Sequence, residues 1–287
     1  MHLLEGLAEC YQQLKLKVSI DSIEEYREVV FGGKDIEGLG SLTKNFTLSP
    51  DDTYEKVQLS SGQVEVITLA VREDFENFLR LMVHKCQNVE ISSTIGASIL
   101  LGVNNWRKIR LHKAEYLKQG GVDWNKEFKQ FTSKRENYQD VLIVLCVGNY
   151  SNLSYEDTGY SQEEWLRISQ DIRKNHELTH FICRKKYPEK AEAVKDEVIA
   201  DAIGLIMAMR NYSVSLARKI LGIAEDGSYM GGRLEEYVSD HTAIERISLE
   251  VNQLIHKIAL SMQKVKKDDF ELEWLVDYLV GCENVEH

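Results

Sequence analysis

Proline is almost missing from this chain, with 2 in 287 residues, where an average composition of about 5% gives roughly 14. Its fixed φ and absent N–H are what most often stop a helix, so long uninterrupted helices meet little opposition here. Cysteine is sparse and scattered. The five, at positions 10, 86, 146, 183 and 282, form no C-x-x-C pair, which excludes a zinc knuckle and a disulfide framework and points to reduced thiols in a cytoplasmic protein. Long apolar segments are lacking too. The longest purely apolar runs, Val141 to Val147 and Leu205 to Met209, fall far short of the ~20 residues of a membrane span. Glu5 and Glu9 interrupt the apolar start, MHLLEGLAEC, and argue against a signal peptide. Positive charge is in deficit, 35 Lys and Arg against 46 Asp and Glu for a formal net of −11. No basic block stands out as a phosphate-binding stripe, so nucleic acid is not an expected partner, and the short apolar runs leave no membrane partner expected either.

What is present is the material of a globular core, 43% hydrophobic and 28% charged, which excludes a disordered chain. Ser22-Ile-Glu-Glu25 has the form of a capping box and predicts a short helix ending at Gly32-Gly33. Residues 40–62, rich in Ser, Thr, Gly, Asp and Asn, read as loop; 63–71 alternate as a strand, and 72–86 follow as a helix. Residues 91–106 fit neither period and stay open between a strand and a cleft-lining loop. DVLIVLCV at 140–147 is a buried strand by its Val, Leu and Ile content. Helical spacing begins at Ser161, with Trp165, Ile168 and Ile172, then Val198, Ala202, Leu205 and Met209. Gly231-Gly232 precedes an expected long helix to about 265, and 268–280 supply the last. The sum is an α+β protein, predominantly helical, with a small sheet. It divides into an N-terminal α+β region, 1–135, and a helical domain, 136–287.

The chemistry lies in NHELTHFICRKKYPEKAEAVKDEVIADAIG, residues 175–204. His176 and His180, four apart in an HExxH pattern, share one helix face and can bind one metal ion. The cations Arg184, Lys185 and Lys186 suit a helix end, Tyr187 precedes a proline, and Pro188 suits the first turn of the next helix. At 1.5 Å per residue, His180 lies ~10 Å and His176 ~16 Å before this turn, and Glu197 ~13 Å after it. Glu197 therefore faces the gap between the histidines. Asp201, one helical turn on, reaches the level of His176 and can accept that imidazole's other N–H.

In these residues, HELTH and DEVIAD, the sequence resembles the gluzincin metallopeptidases, the thermolysin-like class, over about 30 of 287 residues. The resemblance implies one Zn²⁺ per chain held by His176, His180 and Glu197, with Glu177 as general base and Asp201 as the orienting carboxylate. It makes 136–287 a metallopeptidase-like domain whose partner is a peptide or protein substrate. Zinc with three protein ligands keeps a position open, lowers the pKa of a bound water toward ~7 and polarises a carbonyl. Asp196 and Cys183 are the alternative third ligands; Asp196 points about 100° away from Glu197 on the helix, whereas Cys183 lies seven residues from His176 on its face. Arg233, Tyr237 and His241, at four-residue intervals, are candidates for stabilising an oxyanion. The rival to peptide hydrolysis is a peptidase-like zinc protein that binds or regulates without catalysis, against which the retained Glu177 speaks, because binding needs the ligands but not the base.

Overall fold

Helices dominate the computed structural model, which describes residues 2–189, 193–266 and 270–282, and four strands form one small mixed sheet. The fold is α+β and predominantly helical. Two compact units divide the chain, the first made of 1–58 and 62–147 and the second of 59–61 and 148–287.

In the first unit α1 (Leu3–Cys10) is capped by His2, whose Nδ1 accepts from Leu4 N while Glu5 reaches back to His2 N, and it buries Leu4, Leu7 and Ala8. Helix α2 runs over Ile23–Val30, but Ser22 makes no side-chain cap; the hydroxyl that caps this region is Ser19, one turn earlier, on Asp21 N. The expected loop at 40–62 contains a short helix, α3 (Leu42–Asn45), and a strand, β1 (Thr53–Leu59), which pairs with β2 (Gly62–Leu69). The chain continues through α4 (Arg72–Met82), β3 (Ala97–Asn104), α5 (Trp106–Lys118), α6 (Trp124–Thr132) and β4 (Gln139–Cys146).

The strand order is β1-β2-β4-β3. Strand β4 lies inside the sheet, parallel to β2 with Val66 opposite Ile143, and antiparallel to β3 with Ile99 opposite Ile143. That interior place is why its run of Val, Leu and Ile is continuous. Residues 91–106, open on the sequence alone, therefore supply strand β3, broken by an irregularity between Leu100 and Val103. Tyr11, Phe75, Phe78, Leu142 and Val144 are all buried in the core of this unit.

The second unit is built around α7 (Gln162–Lys186) and α8 (Ala193–Met209), an antiparallel hairpin. Ser161 and Glu164 close a capping box at the start of α7. Every residue from Val198 to Ile206 in α8 is buried, the mark of a helix surrounded by its own protein. Around it are α9 (Val214–Leu221), α10 (Ile244–Met262) and α11 (Leu272–Cys282). The expected start of the last helix, Asp268, lies outside the described residues. The stretch after Gly232 is not one long helix. It forms two 3₁₀ turns, Arg233–Tyr237 and His241–Ala243, before α10 begins. Just before them the backbone crosses itself: Gly222 ends α9 in the left-handed region, φ 74°, and a Cβ there would lie 2.2 Å from Gly231 O. Among the described residues no helix is long and apolar enough to cross a membrane.

Gly204 sets how closely α7 and α8 approach, because a Cβ at that position would lie 2.8 Å from Ile172 O and 3.0 Å from its Cγ2. Gly204→Val is expected to lower stability by about 1–3 kcal/mol by overpacking. A urea unfolding midpoint at or above that of the parent would show that the two helices part without penalty.

Candidate metal centre

Three side chains from two helices converge. His176 and His180 project from one face of α7, their Nε2 atoms 3.0 Å apart and their rings nearly perpendicular at 80°. Glu197 of α8 spans them with its two oxygens, Oε2 3.3 Å from His176 Nε2 and Oε1 3.3 Å from His180 Nε2. Donors on a tetrahedral zinc at about 2.0–2.1 Å stand roughly 3.4 Å apart. Each imidazole nitrogen has a Glu197 oxygen, a different one for each, at about that separation, so the three side chains converge with one donor atom apiece within 4.8 Å of the others, and two imidazoles with a carboxylate are a donor set that zinc accepts. Among the described residues this is the group of His, Cys, Asp and Glu that can hold a metal ion. Asp196 and Cys183 fall outside it. They line a cavity of about 370 Å³ that also has His180, Glu197, Ile199 and Val280 in its wall.

Asp201 sits one turn along α8 with its side chain 3% exposed, and its Oδ1 lies 2.9 Å from His176 Nδ1. With Nδ1–H donated to Asp201, the ring presents Nε2 toward His180 and Glu197, the atom that would ligate a metal ion once the ion displaces its proton. Two further groups donate to the same oxygen, the Tyr150 hydroxyl at 2.5 Å and Arg233 Nη1 at 3.2 Å. Its other oxygen, Oδ2, is buried without a hydrogen-bond partner among the described residues. Burial raises the pKa of Asp201, but Arg233 and His176 outweigh it and hold the carboxyl below its ordinary value. Burial likewise opposes a charge on His176; hydrogen bonds to Asp201 and Glu197 prevail and raise its pKa to about 9. Glu197 is also lowered, its burial overcome by the two imidazoles.

Tyr150 is the residue that the sequence does not announce. It follows β4 in a 3₁₀ turn, Tyr150–Asn152, with Ser151 at φ 49°. Its backbone N–H donates to Ser169 Oγ, and Arg173 donates to the carbonyls of Gly148 and Asn149, so α7 itself holds the loop. The Tyr150 hydroxyl touches His176 Nδ1 at 3.2 Å and accepts from Arg233 at 2.8 Å. The only hint in the sequence is position, a polar turn directly after a buried strand.

Of the three downstream candidates, the structure brings in two. Arg233 donates to Tyr150, Ser151 and Asp201, stands 3.5 Å from Glu197, and donates its Nε–H to the Tyr237 hydroxyl. His241 is exposed on the next turn and makes no hydrogen bond or ion pair with the site residues. The four-residue spacing that grouped the three has force only on a continuous helix. Glu177, beside His176 on α7, is 9% exposed, and its side chain forms no hydrogen bond or ion pair among the described residues.

This arrangement lies within the span of a family model that matches residues 3–274. The chain belongs to that family, DUF7005, a family of unknown function. No curated protein and no solved structure matches it.

If Asp201 orients His176, Asp201→Asn is expected to weaken affinity for added Zn²⁺ by roughly 10- to 100-fold. Competition with a chelator measures this. Unchanged affinity in a folded variant would mean that packing of α7 alone aims the imidazole.

Proposed function

We propose that the chain hydrolyses peptide bonds with one zinc ion held by His176, His180 and Glu197, in the manner of the gluzincins it resembles. The observation that carries this reading is the convergence of three donors, the two imidazole Nε2 atoms 3.0 Å apart and each 3.3 Å from a different oxygen of Glu197, backed by a carboxylate on His176 Nδ1. When bound, zinc would supply Lewis acidity toward the scissile carbonyl and a lowered pKa for the attacking water.

The protein's own groups divide the remaining work. Glu177 is the general base. Its side chain belongs to a residue only 9% exposed, adjoins the ligand His176 in sequence, and has no hydrogen-bond or ion-pair partner among the described residues that would tie it up. Its carboxylate takes the proton of the attacking water and delivers it to the leaving nitrogen. Tyr237 is the donor to the developing oxyanion. Because its hydroxyl oxygen already accepts from Arg233 Nε, its own O–H remains free to donate. Arg233 itself acts as a clamp, since its guanidinium is engaged with Tyr150, Asp201 and Tyr237. His241 has no part in this scheme.

Purified protein is expected to carry about one zinc per chain, by the three-ligand site, and His176→Ala or His180→Ala to lose it. Glu177→Gln is expected to keep the zinc while hydrolysis of a mixed peptide pool falls by at least ~10²-fold. Tyr237→Phe should keep the zinc and lose a comparable factor in kcat. Zinc retained with full turnover in Glu177→Gln would exclude that residue as the base. Zinc retained with no turnover in the parent chain would favour a binding module.

A further inference from the structure

The negative charge of the chain is unevenly spread. Residues 106–135 hold nine Lys or Arg against three carboxylates, an excess of six positive charges, so the remainder carries −17 of the formal −11 total. This segment is the α5–α6 hairpin of the first unit. At its root, Lys108 and Arg110 are paired with Asp140 at 2.5 Å and Asp35 at 2.7 Å. Further out, Lys113, Lys126, Lys129, Lys134 and Arg135 are exposed and form no ion pair with any described residue.

The hairpin is held by a seam of its own rings. His112 stacks on Phe131 at 4.0 Å between centroids, with its Nε2 2.6 Å from Glu127. Trp124 tilts against Tyr116 and Phe128, and Lys113 lies over Trp124. Helix α6 has no buried residue and α5 has one, Ile109. At the tip, next to Gly120 and Gly121, Val122 is 97% exposed, and Leu117 is 50% exposed. These two aliphatic side chains contribute little to folding where they stand.

Three kinds of surface can receive a basic hairpin. Recognition of single-stranded nucleic acid relies on rings free to stack with bases, but the rings here are occupied in the seam. An acidic protein surface would pair the lysines and leave Val122 and Leu117 without an apolar partner. A membrane bearing anionic lipids satisfies both, because cations settle on the headgroups while short aliphatic side chains enter the boundary beneath. We propose that the α5–α6 hairpin docks the protein on an anionic lipid surface, with Val122 and Leu117 at the point of entry. This revises the expectation of no membrane partner, which rested on the lack of a spanning segment. It is independent of the chemistry proposed for the second unit.

The test is co-sedimentation of the full chain with vesicles of phosphatidylcholine alone and of phosphatidylcholine mixed with phosphatidylglycerol. Binding is expected to the mixed vesicles only and to decline with added salt. The triple variant Lys126→Glu, Lys129→Glu, Lys134→Glu should lower the partition coefficient at least tenfold, since each surface lysine contributes roughly fivefold. Leu117→Asp with Val122→Asp, which alters no hydrogen bond or ion pair of the fold, should also lower it. Circular dichroism matching the parent confirms that the variants are folded. Absence of binding to the mixed vesicles, equal binding to both vesicle types, or variants that bind as the parent does would overturn the proposal. So would a short single-stranded DNA that binds while the vesicles do not.

Discussion

One oxygen organises the second unit. Asp201 Oδ1 receives His176 from α7, Tyr150 from the loop after β4 and Arg233 from the turn after α9, and it does so from the middle of the fully buried stretch of α8. A carboxylate in such a place is tolerable only when it is matched by charge-assisted hydrogen bonds. Removing one partner of a buried pair of this kind typically costs about 3–5 kcal/mol, because the other charge is left without compensation. The same contacts that stabilise the acid also aim the imidazole. Stability and the placing of the imidazole are here a single requirement, and the turns that carry Tyr150 and Arg233 are bound by it.

How far the sequence revealed this depends on distance along the chain. His176, His180, Glu197 and Asp201 all lie in one helical hairpin, where a period of 3.6 residues and a rise of 1.5 Å turn spacing into geometry. Counting residues was sufficient to bring them together. Tyr150 could not be reached that way, since its approach depends on where a loop is pinned by Arg173 and Ser169. Arg233 and Tyr237 were named on the basis of a helix that does not exist. They meet instead because Gly222 lets the backbone at Gly231 pass at close range and the chain leaves in a 3₁₀ turn. His241 was carried along by the same false period and stands apart.

The sheet shows the same limit in another form. Strand β4 was legible because an inside strand is apolar on both faces. Strand β1 was not, because TYEKVQL has no buried position and its Lys and Glu are what an edge strand carries to discourage further pairing. Strand β3 is half-buried and irregular after Leu100, so neither a period of two nor a continuous apolar run survives in it. Ser22 looked like a helix cap because capping is inferred from residue type, while the structure begins its turn one step earlier with Ser19.

The contacts of the site also differ in the length of chain they must close. His176 and His180 are four residues apart, whereas Tyr150 and Asp201 are separated by 51 and Tyr150 and Arg233 by 83. Local pairings form before distant ones, because closing a long loop carries an entropy that early contacts do not yet offset. During synthesis, the HExxH helix can exist while the turn that carries Arg233 is still to be made. The histidines are thus available early but imprecisely held, and their final aim waits for a segment more than fifty residues further along. The contacts that fix the aim of His176 are therefore the ones that close the longest stretches of chain.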